Sequence, residues 1–104
     1  MAVRVSGDTF DEEVINAGGA VIADFYSDSC VPCKRLSPVL AEIEEEQGDK
    51  VKLVKININF DPELAEKYGV MSVPTLVFFG DGEEISRLTG AVKKSEIVSE
   101  IEKI

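Results

Sequence analysis

The chain contains no histidine and no tryptophan, and only two cysteines and two methionines among its 104 residues. Without histidine, Ser/His/Asp nucleophilic catalysis and imidazole metal sites are excluded. With two cysteines, a closed zinc site needing four ligands could be completed only by a second copy sharing its own pair, so no metal is expected. Cations are scarce: 11 Lys+Arg stand against 20 Asp+Glu, a formal charge of -9. A polyanion would gain no counterion release from such a surface, and nucleic acid is not an expected partner. Apolar runs such as Ala20 to Ala23 and Leu76 to Phe79 fall far short of the ~20 residues that span a bilayer, so no membrane association is expected. The first residues, Met1-Ala2-Val3-Arg4-Val5-Ser6-Gly7-Asp8, show no apolar stretch after a basic start, and a cytoplasmic location is expected. What remains is a chain 44% hydrophobic and 30% charged, the balance of one globular domain over residues 1–104.

Its elements alternate. Thr9-Phe10-Asp11-Glu12 has the spacing of a capping box and predicts a helix over 9–17, stopped by Gly18-Gly19. Ala20 to Tyr26 is apolar without alternation except at Asp24, the pattern of a central strand covered on both faces. Leu36, Val39, Leu40 and Ile43 predict a helix over 31–47, with Pro32 suited to its first turn and Pro38 inside it, where a kink is expected. Val51 to Asn57 is β-branched and predicts a second buried strand, parallel to the first. Asp61-Pro62 with Leu64, Ala65 and Tyr68 predicts a short helix closed by Gly69. Thr75 to Phe79 and Glu84 to Leu88 flank Gly80-Asp81-Gly82-Glu83, a hairpin signal, and an amphipathic helix starts near Ser95. No strand-to-helix Gly-rich phosphate loop occurs, so no nucleotide or other bound cofactor is expected. The class is α/β with a mixed sheet.

Both cysteines sit in one window, Cys30-Val31-Pro32-Cys33, at the junction of the first strand and the long helix. As a staple the pair would contribute little: the chain-entropy model gives about 1.9 kcal/mol for so short a loop, against about 3 for fifteen residues. As chemistry it is well placed. A helix N-terminus favours a thiolate, and a thiol moved from about 8.5 to ~7 changes from a few per cent ionised to half ionised at neutral pH. Cys30, read as the exposed leading edge, is expected to attack a partner disulfide, and Cys33, one turn inward, to resolve the mixed disulfide. Lys34 and Arg35 add positive charge beside them. Asp24 is either a buried carboxyl able to pass protons, with Lys55 as its partner, or a strand-end residue facing water while Lys55 snorkels outward. The pattern alone leaves both open.

Ala23-Asp24-Phe25-Tyr26, Cys30-Val31-Pro32-Cys33-Lys34, Pro38, Lys55-Ile56-Asn57, Tyr68-Gly69-Val70, Val73-Pro74-Thr75, Gly82 and Gly90, in that order along nearly the whole chain, resemble the thioredoxin family. The resemblance implies the thioredoxin fold, a mixed central β-sheet flanked by α-helices, with Pro74 in a cis peptide bond facing the cysteines. It implies that the Val73 backbone pairs with a substrate strand beside Cys30, and that Asp24 is the buried acid/base with Lys55 beside it. The implied activity is reduction of disulfide-containing client proteins by a monomer that is re-reduced by a flavoprotein-type thioredoxin reductase, with no cofactor beyond the Cys30-Cys33 disulfide.

Departures from the family pattern surround the thiols. Ser29 stands where the family has a tryptophan, Val31-Pro32 where it has Gly-Pro, and Tyr26 replaces another tryptophan. Ser29 removes flat apolar docking area, Val31 is stiff where glycine is flexible, and Met71 offers an adaptable contact at the docking rim. A specialised reductase partner is the expectation. Two other readings stay open: a disulfide oxidant or isomerase, and a protein-binding subunit whose apolar rim is Val31, Met71 and Val73.

Overall fold

The computed structural model describes residues 3–104, and its fold follows from which strand residues point to which side. Five strands form one sheet in the order β1-β3-β2-β4-β5. β2 (Ala20–Tyr26) lies centrally, parallel to β3 (Val51–Asn57) and antiparallel to β4 (Thr75–Gly80). β5 (Glu83–Thr89) closes the hairpin, and β1 (Val3–Arg4) adds a short parallel edge to β3.

Successive residues of a strand face opposite sides. Val21, Ala23 and Phe25 therefore join Val54, Ile56, Val77 and Phe79 on one face, beneath Phe10 and Val14 and beneath Leu64 and Ala65 of α2 (Pro62–Lys67). Ile22, Leu53, Leu76 and Phe78 face the other side, against Leu36, Leu40 and Ile43 of α1 (Val31–Gln47) and Ile97 and Ile101 of α3 (Lys94–Glu102). Covering both faces accounts for the near-continuous apolar reading of β2. Pro38 lies inside α1 without ending it.

The helix and cap expected near residue 9 are revised, a short first strand is added, and the expected hairpin is located more closely. The helix predicted over 9–17 is a π-helical turn, Asp11–Ile15, with no side-chain cap. The Thr9 hydroxyl turns upstream and accepts from the Ser6 N–H at 3.1 Å, so the capping box does not form. β1 carries too few residues for periodicity to reveal it. The hairpin turn is two residues, Asp81 and Gly82, at φ 49° and 85°, the left-handed pair that matches strand twist in tight hairpins.

Candidate active site

The site gathers at the edge of the sheet where β2 and β3 end and β4 begins. β2 runs out at Tyr26 into Ser27, Asp28 and Ser29, and Cys30 then caps α1. Cys30 and Cys33 form a disulfide with their Cα atoms 5.2 Å apart. The Cys33 N–H donates to the Cys30 sulfur at 3.1 Å. That N–H is one of the donors a helix leaves unpaired at its start, and Pro32 contributes none, so the cap concentrates the helix's positive end on one sulfur. The expectation that Cys30 is the exposed member is corrected: Cys30 is 8% exposed, whereas Cys33 is partly exposed. The capping geometry is the reason, since the Cys30 sulfur turns inward over the helix to accept the Cys33 N–H.

Asp24 is buried, at 4% exposure. It shares the α1 face of the sheet because it falls between Ala23 and Phe25, which point the other way. Its register neighbours are Lys55 on β3 and Leu76 on β4. Its Oδ1 has no hydrogen-bond partner among the described residues, and burial pushes the carboxyl up to about 6 against the opposing pull of the Lys55 ammonium. The strand-end reading of Asp24 is thereby excluded. Lys55 is half-buried, with its ammonium 5.0 Å from the centre of the Tyr26 ring, a cation–π contact. An open hollow of about 170 Å³ is lined by Asp24, Tyr26, Ser27, Asp28, Cys33, Lys34, Ser37 and Lys55. Carboxyl, ammonium and second cysteine thus share one solvent-accessible space.

The third wall is the turn before β4. The Val73-Pro74 peptide bond is cis, and Thr75 pairs with Phe25, so the turn lies at the same sheet edge as the cysteine loop. The Thr75 hydroxyl donates to the Ser72 carbonyl at 2.7 Å, and the Gly90 N–H donates to the Pro74 carbonyl at 2.8 Å, clamping the turn on both sides. The Val73 N–H and carbonyl take no hydrogen bond among the described residues. Val73 is half-buried and Pro74 buried. Ser29 and Pro32 are exposed, Val31 is 57% exposed and Met71 97%. The edge therefore offers apolar contacts around the thiols and an unpaired backbone segment that an extended chain could join.

Sequence reasoning passed over two groups. The Asn57 amide donates to both oxygens of Asp28, at 3.1 and 3.2 Å, fastening the cysteine loop to the end of β3. The partners are 29 residues apart, and nothing local marks them. Phe60, 78% exposed in the turn after β3, is an apolar ring in a polar stretch and was visible as such.

The thioredoxin family model matches residues 1–103. A thioredoxin 1 from Synechococcus elongatus is 37% identical over 103 residues, covering 99% of this chain and 96% of that protein. A thioredoxin from Pyropia yezoensis is 42% identical, covering 96% of this chain and 94% of its own length. A thioredoxin from Rickettsia bellii is 37% identical over 98 residues, covering 94% and 93%.

Proposed function

Since the chain belongs to the thioredoxin family and is a thiol–disulfide oxidoreductase acting on protein disulfides, we propose that Cys30 attacks the client and Cys33 releases it, with Asp24 carrying the proton. The observation that supports this division most directly is the Cys33 N–H on the Cys30 sulfur, which favours negative charge there once the disulfide is opened.

In the forward half-cycle the Cys30 thiolate attacks one sulfur of a client disulfide, forming a mixed disulfide and expelling the client's other sulfur as a thiolate, which takes a proton. Asp24 then accepts the Cys33 proton through the hollow they share, and the Cys33 thiolate attacks the Cys30 sulfur. That attack expels the client's remaining sulfur as a thiolate, which takes the Cys33 proton from Asp24. The client leaves with two thiols, the enzyme keeps the Cys30-Cys33 disulfide, and two electrons have moved. A carboxyl lifted to about 6 suits a base working near neutrality. The unpaired Val73 backbone beside Pro74 holds the client strand, and Ser29, Val31, Pro32 and Met71 form the rim it crosses.

A flavoprotein-type thioredoxin reductase returns the electrons, and Ser29 with the exposed Val31 favours a specialised one over a general one. The protein works as a monomer in the cytoplasm, with the redox disulfide in place of a bound cofactor. Among the described residues no helix is long and apolar enough to cross a membrane. The test is the Cys30-Cys33 equilibrium against a dithiothreitol series, read by alkylation mass shift, followed by coupled turnover with several purified reductases. A reducing potential and one strongly preferred reductase are expected. An oxidising potential would shift the assignment to an oxidant or isomerase, and equal turnover with every reductase would remove the specialised partner.

A further inference from the structure

Asn57 sits at the end of β3 as the hub of the site's edge. Its amide reaches both Asp28 oxygens, its Oδ1 accepts from the Asn59 N–H at 2.9 Å, and its carbonyl accepts from the N–H groups of Phe60 and Asp61. It is therefore fixed from its own side, and Asp28 is the exposed partner it holds. The loop carrying Asp28 has little else to define it. The bond closing the turn, from the Cys30 N–H to the Ser27 carbonyl, is long at 3.4 Å.

An aspartate two residues before a free N–H habitually turns onto it, and carboxylates are among the best helix N-terminal partners. Asp28 stands two residues before the weakly bonded Cys30 N–H and just ahead of the start of α1. Left unheld, its carboxylate would fold back onto the Cys30 N–H and the opening turn of the helix. There it would oppose a negative charge on the Cys30 sulfur and compete for the same positive end. We infer that Asn57 is a positioning residue of the redox site: by gripping the Asp28 carboxylate at the end of β3, it keeps that charge off the α1 N-terminus and reserves the Cys33 N–H for the Cys30 sulfur.

Asn57 thus acts through Asp28 and touches no reacting atom. The inference rests on the reading of Cys30 as the attacking thiol. The other charged groups around the thiols are Lys34 and Arg35 on α1, Asp24 on β2 and Lys55 on β3. The turn from Met71 to Pro74 brings none. None of these changes in the variants below, so their influence is constant.

The test is a double-mutant cycle on Asn57→Ala and Asp28→Ala, following the pH midpoint of iodoacetamide alkylation of the reduced protein and locating the alkylated cysteine by mass spectrometry. Asn57→Ala should raise the midpoint by about one unit, slowing alkylation below it about tenfold. Asp28→Ala should reverse that rise in the Asn57→Ala background, while shifting the midpoint by less than about 0.3 units in the parent. A merely structural Asn57 would lower the melting temperature and leave the two Asp28→Ala shifts equal, which overturns the inference, as does an unmoved midpoint in Asn57→Ala. If Asn57→Ala does not fold, Asn57→Asp replaces it in the same cycle. That variant keeps the acceptor for the Asn59 N–H and repels Asp28, and the same inequality between the two shifts is expected. Alkylation of Cys33 ahead of Cys30 in the parent would instead overturn the assignment of roles, whatever the cycle returns.

Discussion

The two faces of the central sheet are built from the same strands to opposite ends. Beneath α2 and the π-helical turn, Phe10, Phe79 and Tyr68 pack tilted or edge-to-face with ring centroids 5.1 to 5.9 Å apart, and Phe25 completes the cluster at 6.3 Å from Tyr68. The buried residues there are apolar apart from Thr75, whose hydroxyl is satisfied by the Ser72 carbonyl. Beneath α1 the same β2 strand buries Asp24, a carboxyl with an unpaired oxygen, on the side that carries the cysteines. One face is optimised for cohesion. The other gives up cohesion to hold a proton acceptor beside a thiol, and this division explains how a chain of 104 residues can both fold and react.

The largest effect that separates the faces is on the aromatic side. Phe79→Ala should cost about 3–5 kcal/mol in urea unfolding and leave the redox equilibrium of the cysteines where it was. A displaced equilibrium in the folded variant would mean that the faces are coupled. Next comes Asp24→Asn, which should stabilise. The folded carboxyl keeps its proton up to about 6 and the unfolded one only to 3.8. The native state therefore binds the extra proton, and its stability falls as pH rises through that interval. The variant should gain about 3 kcal/mol at pH 8 over the parent, a gain that fades to nothing below pH 4, while resolution of the mixed disulfide slows. A gain independent of pH would show that Asp24 is not the titrating group.

Smaller still is Lys55→Leu. Removing the ammonium that opposes burial should move the Asp24 midpoint above 6, by about one unit, measurable from the carboxyl chemical shift against pH. No movement would mean that the pair shares a register without sharing charge. Smallest is Met71→Ser at the exposed rim, within about 0.5 kcal/mol of the parent in stability. Its effect should show as a raised KM for protein disulfides and an unchanged rate with a small soluble disulfide. Equal loss on both would place Met71 in the chemistry and not the docking.

The aromatic face was legible in outline and the reactive face only in part. Strands over 20–26 and 51–57 and the helix over 31–47 stood out because both-face burial and a 3.6-residue period leave strong marks. Asp24 was conspicuous for the same reason, as the one charge in an apolar run, but its direction depended on which face α1 covered. The lower exposure of Cys30 was hidden, because it comes from a sulfur accepting a backbone N–H within the cap. The hold of Asn57 on Asp28 was hidden too, since strand pairing, and no local spacing, brings them together. Thr9 misled for a local reason: its hydroxyl found the Ser6 N–H upstream before any helical donor downstream.

The central claim is that Cys30 attacks and Cys33 resolves, and trapping tests it most directly. A client protein disulfide is mixed with reduced Cys33→Ser or Cys30→Ser protein, and adducts are resolved on non-reducing gels and mapped by mass spectrometry. The account predicts a stable mixed disulfide through Cys30 in Cys33→Ser, and little or none in Cys30→Ser. Equal trapping through Cys33 would contradict it.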